Sequence, residues 1–455
     1  LQCKKVFKNI IAYDKFDFDG KKESMYALRP AFDTVADMIG KGKKVPESLL
    51  EIFAQNPEYS AKLDSLINAK DKVPFKIFDK KNAEKLFGKN LNISASQLEK
   101  FNLCRFSYFC NYGLNVRERQ RAEINPMQYG TIVHYILERF FGEYTKEEYL
   151  SLEEDKFQKI VCAYLTEYAV KYFGEEQLES NSFTYRLKTI LDNVMYLMKH
   201  IMEELSQSEF FVADCELKIG EDIPSYTIVL PDGHKIAVCG SVDRVDIMQR
   251  ADITYLRIID YKTGTKQFKL SDILYGINLQ MLLYLHSIEV SGGDKYGEIV
   301  PAGILYMPAT VPYISSDSLK SIDKLPDELN KKLKMNGLLL KDTEIIHGMD
   351  KTDVATYIPV KIKAGEPVSS TSLATLAEFG KIFKKVDMLI AEMGKNIYNG
   401  NIEAKPLKGG HDSCEYCPYD SVCAYRQSNP ITCFSVDNKT VIEEITNEIN
   451  GKEEE

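Results

Sequence analysis

Ile258-Ile259-Asp260-Tyr261-Lys262-Thr263-Gly264 is the stretch whose reading decides the fold. Two β-branched residues lead into it and a glycine ends it, the composition of a strand closed by a turn. Side chains alternate along a strand, so Asp260 and Lys262 project to one face while Tyr261 points to the other. A carboxylate and a lysine side by side at a strand end suit phosphodiester hydrolysis. The acid can hold a divalent metal, and the lysine can orient attacking water or stabilise negative charge on the scissile phosphate. An isolated D-x-K triplet is common and decides nothing, so the surroundings carry the weight.

Upstream, Gly240-Ser241-Val242-Asp243-Arg244-Val245-Asp246 supplies a second acid in the preceding strand. Asp243 and Asp246 are three apart and face opposite sides of a regular strand, so only one can join Asp260. Glu216, on a facing strand, is a further candidate. Two or three oxygen ligands with water would fill the octahedral shell of Mg²⁺ or Mn²⁺. His134 follows Gly130 near the start of a helix read from Gln128 to about Phe141, and a neutral imidazole there could complete the shell. Two more helical blocks are expected near 152–174 and 183–208. Segments 212–219, 225–230, 235–248 and 254–262 then read as a three- or four-stranded meander, with Pro231-Asp232-Gly233 as a turn. Helix returns over 272–290, Ala302 to Met307 suits a buried strand, and a long helix is expected over 371–398. The fold class is α/β, with a mixed central sheet flanked by helices.

Four blocks occur in order: Gly130-x3-His134-x3-Glu138, Gly240-x2-Asp243-Arg244-x-Asp246, Asp260-Tyr261-Lys262-Thr263-Gly264 and Gln280-x3-Tyr284. This order resembles the RecB-type nucleases of the PD-(D/E)XK group. The resemblance implies a restriction-endonuclease-like core with helical additions. It gives a catalytic set of Asp243, Asp260, Lys262 and Gln280, and a metal site of His134, Asp243, Asp260 and Tyr261. Gln280 and Tyr284 are i, i+4 on one helix, so both can face the sheet; Tyr284 reads equally well as core packing.

Ten cysteines and no export signal point to a reducing, cytoplasmic setting rather than a disulfide framework. Cys414, Cys417 and Cys423 stand apart, because C-x2-C-x5-C in a short segment is a ligand pattern. Cys104 is placed to be the fourth ligand, with Cys110 its main rival. Thiolates at four corners suit either a 4Fe-4S cluster or structural zinc; the resemblance favours 4Fe-4S. That cluster would staple the two ends of the nuclease domain together.

The segment from Ser94-x-Ser96-Gln97-Leu98-Glu99 to Leu103-Cys104, with Arg117-Glu118-Arg119 beyond it, is similar to the C-terminal region of AddB-type helicase–nuclease proteins over about residues 90–430. A helix is expected to start at Ser94 or Ser96, each followed three residues later by Gln or Glu in capping-box spacing. The resemblance implies an AddA-like helicase–nuclease partner. It also implies a single-stranded DNA end threaded to the nuclease site, exonucleolytic hydrolysis and a role in resecting double-strand breaks. On this reading residues 1–90 are a helical remnant of an upstream helicase-like domain, 91–430 the nuclease domain and 431–455 an acidic tail. Two alternatives stay open: a catalytically silent DNA-binding or assembly module with a nuclease fold, and a stand-alone CRISPR-associated RecB-like nuclease.

At 455 residues the chain is long enough for two or three domains. The net charge of −9 weighs against a nucleic-acid partner. Seven acids and two lysines between Val436 and Glu455 contribute −5 of it. Lys331-Lys332-Leu333-Lys334 and Arg117-Glu118-Arg119-Gln120-Arg121 are candidate phosphate contacts. The aromatics Phe106, Tyr108, Phe109 and Tyr112 could stack bases or pack around the cysteine cluster. No apolar run approaches the ~20 residues of a membrane span.

Overall fold

The computed structural model describes residues 27–40, 43–71, 76–77, 79–117, 126–264, 267–311, 325–369, 371–423, 425 and 430–453. The chain divides into two compact units, Leu1–Pro74 and Phe75–Glu455. In the first, helices Leu28–Gly40, Glu47–Gln55 and Ser60–Asp71 close on a small core of Phe32, Val35, Phe53, Tyr59 and Leu63. Phe32 and Phe53 meet edge to face at 5.2 Å, the geometry favoured by the aromatic quadrupole.

The second unit opens with β1 (Asn90–Ile93) and α1 (Ala95–Leu103). Ser94 caps α1 in a full capping box with Gln97, which settles the choice between Ser94 and Ser96. Three long helices follow: α2 (Pro126–Glu143), α3 (Glu154–Phe173) and α4 (Asn181–Ser206). Then come β2 (Phe211–Ile219), β3 (Thr227–Val229), β4 (Lys235–Val238), β5 (Gly240–Arg250) and β6 (Ile253–Lys262). A crossover through α5 (Gln280–Ser291) leads to β7 (Glu298–Pro308), followed by β8 (Asn336–Leu340) and β9 (Leu373–Ala374). The long α6 (Leu376–Tyr398), β10 (Leu407–Gly409), β11 (Ile431–Cys433) and α7 (Asn438–Glu453) complete the unit.

The central sheet has the order β9-β8-β7-β6-β5-β2. β6 and β7 run parallel, while β5–β6, β2–β5 and β7–β8 are antiparallel. Helices cover β6 and β7, so these strands are near-continuous apolar runs; Leu256, Ile258, Ile259, Ile304 and Leu305 are fully buried.

The structure departs from the sequence expectation in two places. The meander is not continuous: β3 and β4 leave the main sheet and form a separate three-stranded sheet with β1, in the order β1-β4-β3. The expected single strand 235–248 therefore breaks between Val238 and Gly240, and β2 pairs directly with β5. Added at Gly240, a Cβ would fall 2.2 Å from the Tyr284 hydroxyl, so the strand passes against α5 only because residue 240 lacks a side chain. Residues 431–455, set apart by charge as a tail, are built into this unit. β11 pairs with β10, and Val441 and Ile445, one turn apart on α7, are fully buried.

Candidate active site

Glu216, Asp243 and Asp260 stand in one row across β2, β5 and β6. Cys215 pairs with Arg244 and Leu217 with Val242, which places Glu216 opposite Asp243. On the other side the ladder ends at Arg244–Ile259, so Asp243 and Asp260 face each other one step further on. There the strands part, and the Tyr261 N–H donates to Asp243 Oδ2 at 2.9 Å. Glu216 has φ 50°, a left-handed conformation costing a non-glycine residue roughly 1–2 kcal/mol.

His134 approaches this row from α2. Its Nδ1 lies 2.9 Å from Glu216 Oε1 and its Nε2 3.6 Å from Asp243 Oδ2. The helix already begins at Pro126, so His134 sits well inside it and not near its N-terminus, where the sequence reading places it. Ser241 donates its hydroxyl to the other Glu216 oxygen at 2.8 Å. Lys262, two residues beyond Asp260 on the same face, forms an ion pair with Asp260 Oδ2. Gln280, the first residue of α5, donates to Asp260 Oδ1 at 3.0 Å. That contact exists because the parallel crossover starts its helix beside the carboxyl end of β6. Tyr261 is buried and turned away, its hydroxyl 3.4 Å from Arg244 Nη1, so it can offer a metal only its main-chain carbonyl.

Among the described residues, the ligand atoms of His134, Glu216 and Asp243 lie within 4.8 Å of one another. The electrostatics are those of crowded acids. Burial, then the like charge of Asp260, pushes Asp243 up to about 7. For His134, burial acts downward, but the hydrogen bond to Glu216 and the charges of Asp243, Glu216 and Asp260 raise it. Burial would lift Glu216; its hydrogen bonds from His134 and Ser241 outweigh that and hold it below the ordinary range.

Asp246 lies on the opposite face of β5. With Glu204 of α4, Arg244 and Arg257 it forms a fully buried set of two acids and two guanidiniums. Arg244 donates to both oxygens of Asp246 at 2.6 Å and to Glu204 at 3.0 Å; Arg257 reaches Glu204 at 2.6 Å and Asp246 at 3.0 Å. Arg244 and Arg257 therefore clamp the strands that carry Asp243 and Asp260 to one helix. Tyr284 is buried against Gly240, which makes it a packing residue beside the site.

At the other end of α1, Cys104, Cys414, Cys417 and Cys423 line one cavity of about 140 Å³. Phe106, Cys110 and Tyr419 are buried around it. Burial raises the Cys104 thiol; the N–H groups of Ser107 and Phe106 directed at its sulfur oppose this, and nearby Cys423 and Cys417 add to it. Tyr108 is buried against Phe101 and Tyr112, while Phe106 and Phe109 pack with the cysteines. Of the proposed phosphate contacts, Lys334 is turned inward onto the carbonyls of Ala355 (2.6 Å) and Val360 (3.0 Å). Residues 118–121 lie outside the described residues.

Sequence reasoning reached Asp243, Asp260, Lys262 and Gln280 from spacing and resemblance, and named Glu216 only as a further acid. Ser241 was missed; only the register of β2 against β5 brings it to Glu216. No described helix is long and apolar enough to cross a membrane.

Comparison with known proteins bears on the same region. The PD-(D/E)XK nuclease superfamily profile matches residues 92–424. The chain is 34% identical over 354 residues to the B subunit of an ATP-dependent helicase/deoxyribonuclease from Thermoanaerobacter, covering 75% of this chain and 30% of that protein. It is 35% identical over 397 residues to the protein of the same name from Clostridium kluyveri, covering 84% and 34%. The Clostridium acetobutylicum protein of that name is 30% identical over 455 residues, covering 93% and 38%. The chain thus spans roughly a third of the length of the curated relatives it matches. The superfamily match extends over most of the chain and takes in every residue of the acid row, the lysine and the crossover glutamine, and on that ground the chain belongs to the PD-(D/E)XK nuclease superfamily.

Proposed function

We propose that this chain is the nuclease portion of a helicase–deoxyribonuclease of this kind and hydrolyses DNA phosphodiester bonds with Mg²⁺ or Mn²⁺. The observation that carries the reading is the row of Glu216, Asp243 and Asp260 on three adjacent strands, with His134 above it and Lys262 beside it. Carboxylates are the hard donors that Mg²⁺ and Mn²⁺ take, and one borderline imidazole stands beside them. The upward push on Asp243 is the penalty a bound cation would relieve. Tyr261 joins His134, Asp243 and Asp260 in this site through its carbonyl. A bound cation supplies Lewis-acid charge against the phosphate and lowers the pKa of water.

The chain's own residues do the rest. Gln280 and Lys262 each take one oxygen of Asp260 and fix its orientation. Through its ammonium, Lys262 can hydrogen-bond a water or stabilise charge on the scissile phosphate. His134 and Ser241 hold Glu216 in its strained backbone position.

A 4Fe-4S cluster on Cys104, Cys414, Cys417 and Cys423 belongs to the same reading. The four line one cavity, and the Ser107 hydroxyl beside them is buried with no hydrogen-bond partner among the described residues, a donor suited to a sulfide. The partner in this reading is an AddA-like helicase–nuclease that feeds broken ends to an exonucleolytic site in the cytoplasm.

The test is anaerobic incubation of the chain with labelled single- and double-stranded DNA and Mn²⁺, beside Asp260→Ala. Cleavage that disappears in the variant and under EDTA supports the proposal. Failure to cleave even with the helicase partner added would instead mark a silent assembly module.

A further inference from the structure

The cleft that holds His134 and Glu216 continues along a wall of three tyrosines. Tyr135 comes from α2, and Tyr168 and Tyr172 from successive turns of α3. Their ring centroids are 5.2 Å apart from Tyr135 to Tyr168 and 4.4 Å from Tyr168 to Tyr172. The inner part of the ladder is fixed: Tyr168 is buried, and the Tyr135 hydroxyl donates to Glu167 at 2.8 Å. The outer ring, Tyr172, is 55% exposed. Two lysines flank the wall. Lys171 holds its ammonium 5.1 Å from the Tyr172 ring centroid, and Lys218, also in the cleft lining, shares its ammonium with exposed Glu221.

A large ring left open beside a cleft, and packed at a 37° tilt against a buried one, has aromatic surface to offer a base. We propose that Tyr135, Tyr168 and Tyr172 form a base-stacking track that guides single-stranded DNA into the metal cleft, with Lys171 and Lys218 on its phosphates. This rests on the nuclease reading above and adds a subsite to it. Bases in a duplex have their faces covered by one another, whereas a single strand presents them, and every base has a π-face to offer. Glu138, also in the lining, repels phosphate but carries no penalty for an uncharged base. A base stacked on Tyr172 takes the place of the Lys171 ammonium, which then lies beside that nucleotide's phosphate.

The test compares an oligothymidylate with an abasic strand of equal length, using the full chain with Mn²⁺. The parent is expected to favour the base-bearing strand in kcat/KM. Tyr172→Ala should narrow that preference by about tenfold, and Tyr172→Phe should keep it. In an Asp243→Asn background, which binds without cutting, 2-aminopurine in the strand should be quenched, and Tyr172→Ala should relieve the quenching. An unchanged preference with quenching retained in Tyr172→Ala would overturn the track while leaving the nuclease reading intact. A parent that neither binds nor cuts either strand would overturn both.

Discussion

Asp243 and Asp260 face each other across β5 and β6 one step past the last paired residues, Arg244 and Ile259, and the Tyr261 N–H released from that ladder is taken up by Asp243 Oδ2. Two strands that part at their ends thus place two acids together while the Tyr261 N–H keeps an acceptor. The arrangement costs stability in the metal-free chain, because burial and Asp260 push Asp243 up to about 7. A carboxyl raised in the folded state binds more protons there than in the unfolded chain, so stability falls as pH climbs from about 4 through 7. Asp243→Asn keeps an acceptor for Tyr261 and removes the charge. At pH 8, without metal, this variant is expected to be more stable than the parent by about 1–3 kcal/mol and to lose hydrolysis. Urea denaturation beside a cleavage assay measures both; a destabilised Asp243→Asn would contradict the electrostatic reading.

Metal uptake follows from the same shifts. His134 and Asp243 both hold protons more tightly than free side chains, and a cation must displace them. Mn²⁺ affinity is expected to rise steeply between pH 6 and 8. Calorimetry at pH 6.5 in buffers of different ionisation enthalpy should show proton release that shrinks by pH 8.5. Heats independent of buffer would count against protons on the ligands.

The buried charges behind the site carry a different prediction. Glu204, Asp246, Arg244 and Arg257 neutralise one another with no exposure to solvent. Asp246→Ala would leave two guanidiniums facing one carboxylate and should cost about 3–5 kcal/mol. Arg244→Met with Asp246→Leu, which removes an opposite pair, is expected to cost less than the sum of its singles. A urea series gives the coupling directly.

Much of this was legible in the sequence, and the failures have physical causes. Strand alternation placed Asp260 and Lys262 on one face, and three-residue spacing separated Asp243 from Asp246, because both rules act within one strand. What escaped depends on relations between strands. Ser241 reaches Glu216 only through the register of β2 on β5, and Glu216 needs a left-handed backbone that no propensity announces. The hairpin of β3 and β4 left the meander because β1, more than a hundred residues earlier in the chain, pairs with β4. At the C-terminus, the acids drew attention from Val441 and Ile445, whose spacing marks a buried helical face.

Away from the site, His286 sets a pH dependence of opposite sense to Asp243. Its Nε2 lies 3.2 Å from Asp387, its Nδ1 3.3 Å from Glu289, and its ring stacks on Phe383. Burial acts downward, but these two carboxylates outweigh it and raise the imidazole to about 9. A raised histidine stabilises fully below its unfolded value near 6.5, and the benefit is lost as pH rises through 9. With both partners partly solvated, about 1–2 kcal/mol is expected to disappear over that window. His286→Leu should flatten that part of the stability profile; an unaltered slope would refute the assignment.

The cysteine cavity offers a test that separates its four lining residues from a fifth nearby. Cys104 and Cys414 are about 310 positions apart, and a cluster joining them would remove unfolded-state freedom worth roughly 5 kcal/mol. Cys104→Ser, purified without oxygen, is expected to lose bound iron and the visible absorbance of a cluster, and to unfold at markedly lower denaturant. Cys110 is buried in the same apolar surroundings but does not line the cavity. Cys110→Ser should therefore keep its iron and lose only what a small buried polar change costs. Equal iron loss in both variants would mean that Cys110 holds the cluster with Cys104. Zinc in place of iron in the anaerobic parent would assign the four cysteines to a single structural ion instead of a cluster.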